Sequence, residues 1–245
     1  MNQQATIEKM KHLRLFGMAE TYHQSLQNHL YQDYTLDQFT ALLVDQEWEE
    51  RQNRRIKSLI KQASFRSQIS SHDIDYTTSR NLDKNQCERL LGLNFLKQAE
   101  NIIFTGPTGV GKSHLAQAIG VAACQMLHKV QYYSTARLME EVKIAKLDGT
   151  YVKLLKRIQK MDLLVLDDFG LNPFDQYARQ ALMDILEDRY GKSSTIVVSQ
   201  IPVAQWHGTI GEGTIADAIL DRLVHASHRI SLEGESLRKK KKLKG

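Results

Sequence analysis

The chain has 245 residues, 42% hydrophobic and 25% charged, which suits one large α/β domain with a smaller accessory unit and matches neither a disordered nor a membrane protein. Its longest apolar runs, such as Leu163 to Leu166, fall far short of the roughly 18 residues of a spanning helix, and Glu8, Lys9, Lys11, His12 and Arg14 interrupt the apolar core a secretory signal would need, so a cytoplasmic protein is expected. The net charge of +5 is local: six positive charges sit in Arg238, Lys239 to Lys242 and Lys244, and without them the chain is slightly acidic.

Residues 1–69 carry helical periodicity and no proline, and read as a small all-α domain. Leu36, Phe39, Leu42 and Leu43 form one apolar stripe, and Ile56, Leu59 and Ile60 a second. Glu47 with Arg51, and Glu50 with Arg54, have the acid-first spacing of four that supports a helix. Residues 70–84, rich in Ser, Asp and Thr, read as a linker. Over residues 85–245, strand-like runs (Asn101 to Thr105, Val130 to Tyr133, Leu163 to Asp167, Thr195 to Ser199) alternate with helical ones. The helical runs are Gly111 to Leu127, Ala136 to Lys146, Tyr151 to Lys160, Gln176 to Tyr190 and Ile215 to His225. This alternation predicts an α/β fold with a parallel sheet flanked by helices. Cys87 and Cys124 are too few for a metal cluster and are expected to be buried, reduced thiols. Trp48 and Trp206 are expected to be packing residues.

Between the first strand and its helix stands G-x-x-x-x-G-K-S: Gly106, Pro107, Thr108, Gly109, Val110, Gly111, Lys112 and Ser113, with His114 next in the helix. Glycines let backbone N–H groups converge on phosphates, and the helix N-terminus adds its positive end. Lys112 suits β- and γ-phosphate oxygens, and the Ser113 hydroxyl suits Mg²⁺. The expected ligand is therefore a nucleoside triphosphate with Mg²⁺. Asp167, ending a buried strand, is the expected second metal partner, and Asp168 a water-activating carboxylate. A double acid at that place also serves as a helix cap or turn. Ser199 and Gln200, ending the next strand, would face the γ-phosphate or its attacking water if that strand neighbours the other two.

These three elements in this order resemble the AAA+ ATPases. The runs E-W-E-E-R-Q-N-R-R, F-R-S, E-N-I-I-F-T-G-P-T-G-V-G-K-S-H-L-A, A-D-A-I-L-D-R-L-V-H and G-E-S-L-R look like the IstB family, helper ATPases encoded beside the transposase of an insertion-sequence family. That family is similar to the DnaC-type helicase loaders and the initiator DnaA. The resemblance implies an ATPase that oligomerises on duplex DNA with ATP at subunit interfaces, recruits and stimulates its cognate transposase and influences target choice. A helicase loader is the alternative. It also implies that Arg222 completes a neighbour's site and that Arg238 touches the nucleotide in cis, although spacing alone reads Arg222 as a surface helix arginine and Arg238 as part of a frayed tail. Asp168 stands where many such proteins carry Glu, and Gln200 where Asn is common, so slow or partner-stimulated hydrolysis is expected. The lid is reduced, since few residues follow Leu223.

Lys143, Lys146, Lys153 and Lys156 lie on the helices between the second and third strands, in a stretch with one acid, Asp148. The resemblance to the initiators implies that this region faces nucleic acid, so these lysines are expected to meet DNA phosphates. Arg51, Arg54 and Arg55 are a second candidate, partly neutralised by nearby acids. A solvated basic face accounts for either pattern as well. No helix aims Asn, Gln and Arg at base edges, so backbone contacts and weak sequence preference are expected.

Overall fold

The computed structural model describes residues 3–67, 69, 74–76, 80–211 and 213–237, with Tyr31 described by its backbone alone. The chain divides into two compact units, Met1–Ser58 and Leu59–Gly245, each with its own interior.

In the first unit, α1 (Gln3–His12) and α2 (Phe16–Gln27) precede a 3₁₀ turn (Leu30–Asp33) and α3 (Leu36–Ala63), which continues into the second unit. Ile7, Ala19 and Leu43 are buried. Helix α2 starts after Leu15, which offers no side-chain cap, and Glu47 of α3 takes over that task. Glu47 Oε2 accepts from the N–H groups of Gly17 (2.8 Å) and Met18 (3.3 Å), satisfying donors that a helix start leaves unpaired. Arg51 Nε donates to its other oxygen at 2.6 Å. The two backbones meet closely here, since a Cβ on Gly17 would lie 2.5 Å from the Gln46 carbonyl oxygen. Trp48 does not pack: it is 63% exposed, because Leu43 and Glu47 define the buried side of α3 and residue 48 points about 100° beyond Glu47. Leu36, at the first turn, is exposed as well.

The second unit holds α4 (Lys84–Leu91), α5 (Asn94–Lys97) and a five-stranded parallel sheet with order β2-β3-β4-β1-β5. The strands are β1 (Asn101–Thr105), β2 (Val130–Ser134), β3 (Leu163–Phe169), β4 (Ser194–Ser199) and β5 (Ser227–Ser231). Between them run α6 (Lys112–Gln125), α7 (Thr135–Leu147), α8 (Tyr151–Gln159), α9 (Gln176–Arg189), α10 (Trp206–Ile210) and α11 (Gly213–Val224). Continuous apolar strands serve two cores. Ile102, Phe104, Val165 and Val198 face one cluster with Leu115 and Ile119 of α6. Ile103, Leu164, Leu166 and Val197 face the other, with Leu138, Leu182, Ile185 and Ile219 of the helices opposite. Strand β5 and helices α4 and α5 were not foreseen. Only Ile230 of β5 is buried, as an edge strand allows, so it carries no apolar run to detect. Ile74 and Arg80 are buried in this unit. Cys87 and Cys124 are free buried thiols, as expected, and Trp206 is fully buried.

Two polar residues tie the sheet where its strands begin. Asn101 donates to the Arg222 and Leu223 carbonyls and accepts from Thr195 N–H. Arg189, 2% exposed, donates to the carbonyls of Ile158, Met161 and Ser194. Burial pulls its pKa down to about 10, and those carbonyls give the guanidinium the hydrogen bonds that burial withdraws. No helix among the described residues is long and apolar enough to cross a membrane.

Candidate nucleotide site

Because β4 lies between β1 and β3 and all run parallel, the segments leaving the three strands converge at one edge of the sheet. The loop leaving β1 needs its glycines: Gly106, Gly109 and Gly111 have φ of 136°, 87° and 98°, conformations that a Cβ disfavours. The 14-residue helix α6 then starts at Lys112 with no side-chain cap, leaving its positive end for an anion. Lys112, 6% exposed, donates to the carbonyls of Gly106 (2.7 Å) and Pro107 (2.8 Å), which holds the ammonium in the curl of the loop. Burial lowers its pKa, and Asp167 and Asp168 oppose that shift.

Ser113 Oγ donates to Asp167 Oδ1 at 2.9 Å. The buried Asp167 carboxylate also accepts from the Tyr132 hydroxyl and from Asp168 N–H. Thr135 Oγ1 holds the Asp167 carbonyl at 2.9 Å. Burial raises the Tyr132 pKa, and its bond to Asp167 adds to that, so the phenol stays protonated and donates. The β3–β4 pairing shifts register between Leu166 and Phe169, a bulge of the kind that re-aims side chains next to active sites. Asp168 follows with φ of 57°, a left-handed conformation costing roughly 1–2 kcal/mol for a residue with a Cβ. In that conformation its side chain is partly exposed, and Oδ2 lies 3.2 Å from Arg66 Nη2.

Gln200 lies where its position suggests, with its side-chain oxygen accepting from Thr108 Oγ1 of the loop. Ser199 does not face the loop: it is buried, donates to the Phe169 carbonyl and accepts from Ile201 N–H, which ties the end of β4 to the end of β3. Arg222 lies beyond the opposite end of β1, where its carbonyl accepts from Asn101, so it is remote from its own loop. Its guanidinium pairs with Glu187 and lies 5.9 Å from the Tyr190 ring centre. Arg238 and the lysines after it lie outside the described residues.

Three contacts of the site, one to its acids and two to its loop, were not foreseen from the sequence. Arg66 Nη2 lies 3.2 Å from Asp168 Oδ2, and its Nη1 lies 3.9 Å from Asp167 Oδ2. Arg80 donates to the Val110 carbonyl at 2.8 Å. Leu237 N–H donates to the Gly109 carbonyl, while Leu232 N–H donates to Thr105, so the segment after β5 rests on the loop. The F-R-S and G-E-S-L-R runs mark two of these segments without revealing their contacts.

The basic residues expected to meet DNA are unequally available. Lys143 is 2.9 Å from Asp175, and Lys146 sits over the rings of Tyr151 and Tyr177 at 4.8 and 5.4 Å. Lys153 and Lys156 are exposed. Arg51 and Arg54 are engaged by Glu47 and Glu50, whereas Arg55 is exposed.

The donors fit a triphosphate with a hard divalent cation: a lysine inside a glycine loop, an uncapped helix start, and a hydroxyl and carboxylate 2.9 Å apart. No group of three His, Cys, Asp or Glu side chains able to hold a metal occurs among the described residues, so phosphate and water oxygens would complete such a cation's shell.

A family model described as IstB-like ATP binding protein matches residues 8–245. The insertion sequence ATP-binding protein y4pL of Sinorhizobium fredii (strain NBRC 101917 / NGR234) is 41% identical over 239 residues, covering 98% of each chain. The IS232 ATP-binding protein of Bacillus thuringiensis subsp. berliner is 30% identical over 229 residues, 94% of this chain and 92% of that one. Among solved structures, the DnaC helicase loader matches with TM-score 0.54 and 20% identity, over 64% of this chain and 94% of its own. DnaA bound to AMPPCP and single-stranded DNA gives 0.60 and 19%, over 74% and 56%. The structural likenesses show an AAA+ fold. By the reach of the family model and the identity of these relatives, the chain belongs to the IstB-like ATP binding protein family.

Proposed function

We propose that this protein is an ATPase that acts as the DNA-binding helper of an insertion sequence, assembling on duplex DNA, recruiting and stimulating its transposase and biasing target choice. The carrying observation is the meeting of Lys112, Ser113, Asp167 and Asp168 at one sheet edge, in a chain that belongs to a family of ATP binding proteins. The loop residues Gly106 to Ser113, with His114 behind them, cradle the phosphates, and Lys112 binds the β- and γ-oxygens. Ser113 and Asp167 would hold Mg²⁺, which when bound would offset charge on those phosphates. Asp168 orients the attacking water and accepts its proton, while Gln200, held by Thr108, faces the same water or the γ-phosphate.

Arg222 serves the site of an adjoining subunit, where its planar fork meets charge developing on the γ-phosphate. Its distance from its own loop supports this role. Mixing Lys112→Ala and Arg222→Ala chains tests the arrangement. The mixture should hydrolyse ATP faster than the two chains measured separately, since some interfaces then pair an intact loop with an intact arginine. A mixture no faster than its components refutes shared sites.

The likeness to the DnaC loader favours a second reading, helicase loading. The curated insertion-sequence relatives, matched nearly end to end, favour transposition. Competition between duplex and single-stranded oligonucleotides separates the two: preference for duplex supports the helper, and preference for single strands the loader.

A further inference from the structure

Two carboxylates side by side at a strand end need positive charge nearby, and Lys112 and Arg66 supply it in different ways. Lys112 is buried in the loop. Arg66 comes from the segment after α3, and 52% of its side chain is exposed.

That segment is fastened to α6. The N–H groups of Arg66 and Ser67 both donate to Gln117 Oε1, at 2.9 and 3.2 Å. Gln117, 3% exposed, donates in turn to the Ser113 carbonyl at 3.0 Å. The Phe65 ring lies against Gly120, where a Cβ would come within 2.7 Å of it, and 6.3 Å from the Tyr132 ring. Tyr132 itself donates to Asp167. The backbone is thus placed by buried contacts, while the guanidinium at its tip reaches Asp168 at 3.2 Å and Asp167 at 3.9 Å through a half-exposed stem. An ion pair of that exposure is weak enough to be displaced.

We propose that Arg66 is the resident counter-ion of the Asp167–Asp168 pair and competes with the divalent cation for it, so that loading the cation with nucleotide frees the guanidinium. This rests on the nucleotide-binding reading above and adds a regulatory residue to that site. Arg66 sets how much cation the protein needs before its acids can act. Anything that pulls on Phe65 to Ser67 changes that requirement.

The test titrates Mn²⁺ into the full chain in the presence of ADP, with free Mn²⁺ followed by electron paramagnetic resonance. Arg66→Ala should bind Mn²⁺ roughly two- to tenfold more tightly than the parent. Arg66→Lys, which keeps a charge, should stay nearer the parent. In EDTA the Arg66→Ala chain should melt lower than the parent and gain more from added Mn²⁺, since its acids have lost their neutralising partner. Equal or weaker Mn²⁺ binding by Arg66→Ala overturns the proposal. Should Arg66→Ala fail to fold, Arg66→Gln gives the same readout with the stem retained. ADP binding measured by calorimetry with Mg²⁺ present separates two failures: a parent that binds no ADP there defeats the nucleotide reading, whereas ADP bound by both chains with unchanged Mn²⁺ affinity defeats the counter-ion alone.

Discussion

Lys112 concentrates charge where the loop is tightest, and its two carbonyl contacts, with Asp167 and Asp168 nearby, offset the burial of the ammonium. Replacing it with alanine should weaken ATP binding by about 100-fold, ~2.7 kcal/mol, as measured by calorimetry. Lys112, Ser113 and Asp167 were legible because their chemistry is written in spacing: a glycine-rich turn between strand and helix, then an acid at the end of an apolar strand. Arg66 was not legible. It meets Asp168 across 102 positions of sequence, and F-R-S carries no periodicity that forecasts a partner. The left-handed turn at Asp168 was equally hidden, since it follows from the bulge between β3 and β4 rather than from the residue.

At the scale of elements, the inner strands β1, β3 and β4 declared themselves through runs buried on nearly every residue, whereas β2 and β5 are the sheet edges, and β5, with Ile230 alone buried, carries no apolar run. Helix α2 shows how one element completes another, since its first donors are satisfied by Glu47 of α3. Burial works to raise the Glu47 pKa, but the Arg51 bond and the N–H groups of Met18 and Gly17 outweigh it and hold the value below its ordinary one. A carboxylate depressed in the folded state binds fewer protons there than in the unfolded chain. Its stabilisation is therefore complete above the ordinary carboxylate range and fades as pH falls through the lowered value. Glu47→Gln should cost about 1–2 kcal/mol at pH 7 and lose that part of the acid sensitivity, as read from urea unfolding at pH 7 and below pH 4.

At the scale of the molecule, the exposed Lys153 and Lys156 are the best placed of the lysines on α7 and α8 to meet a phosphate backbone, because Lys143 and Lys146 already have partners. Apparent duplex affinity should fall steeply between 50 and 200 mM salt. Each of Lys153→Ala and Lys156→Ala should lower the salt slope by about one without changing sequence preference. Sequence alone ranked the four lysines equally, since charge spacing says nothing of an aspartate capping a helix 32 positions away. The contact of Leu237 with Gly109 has a consequence for biosynthesis. A ribosome adding about 5–20 residues per second makes the loop on the order of ten seconds before the segment that rests on it. The nascent loop therefore waits without that support, and a chain stalled in between would hold its nucleotide more loosely than the released protein.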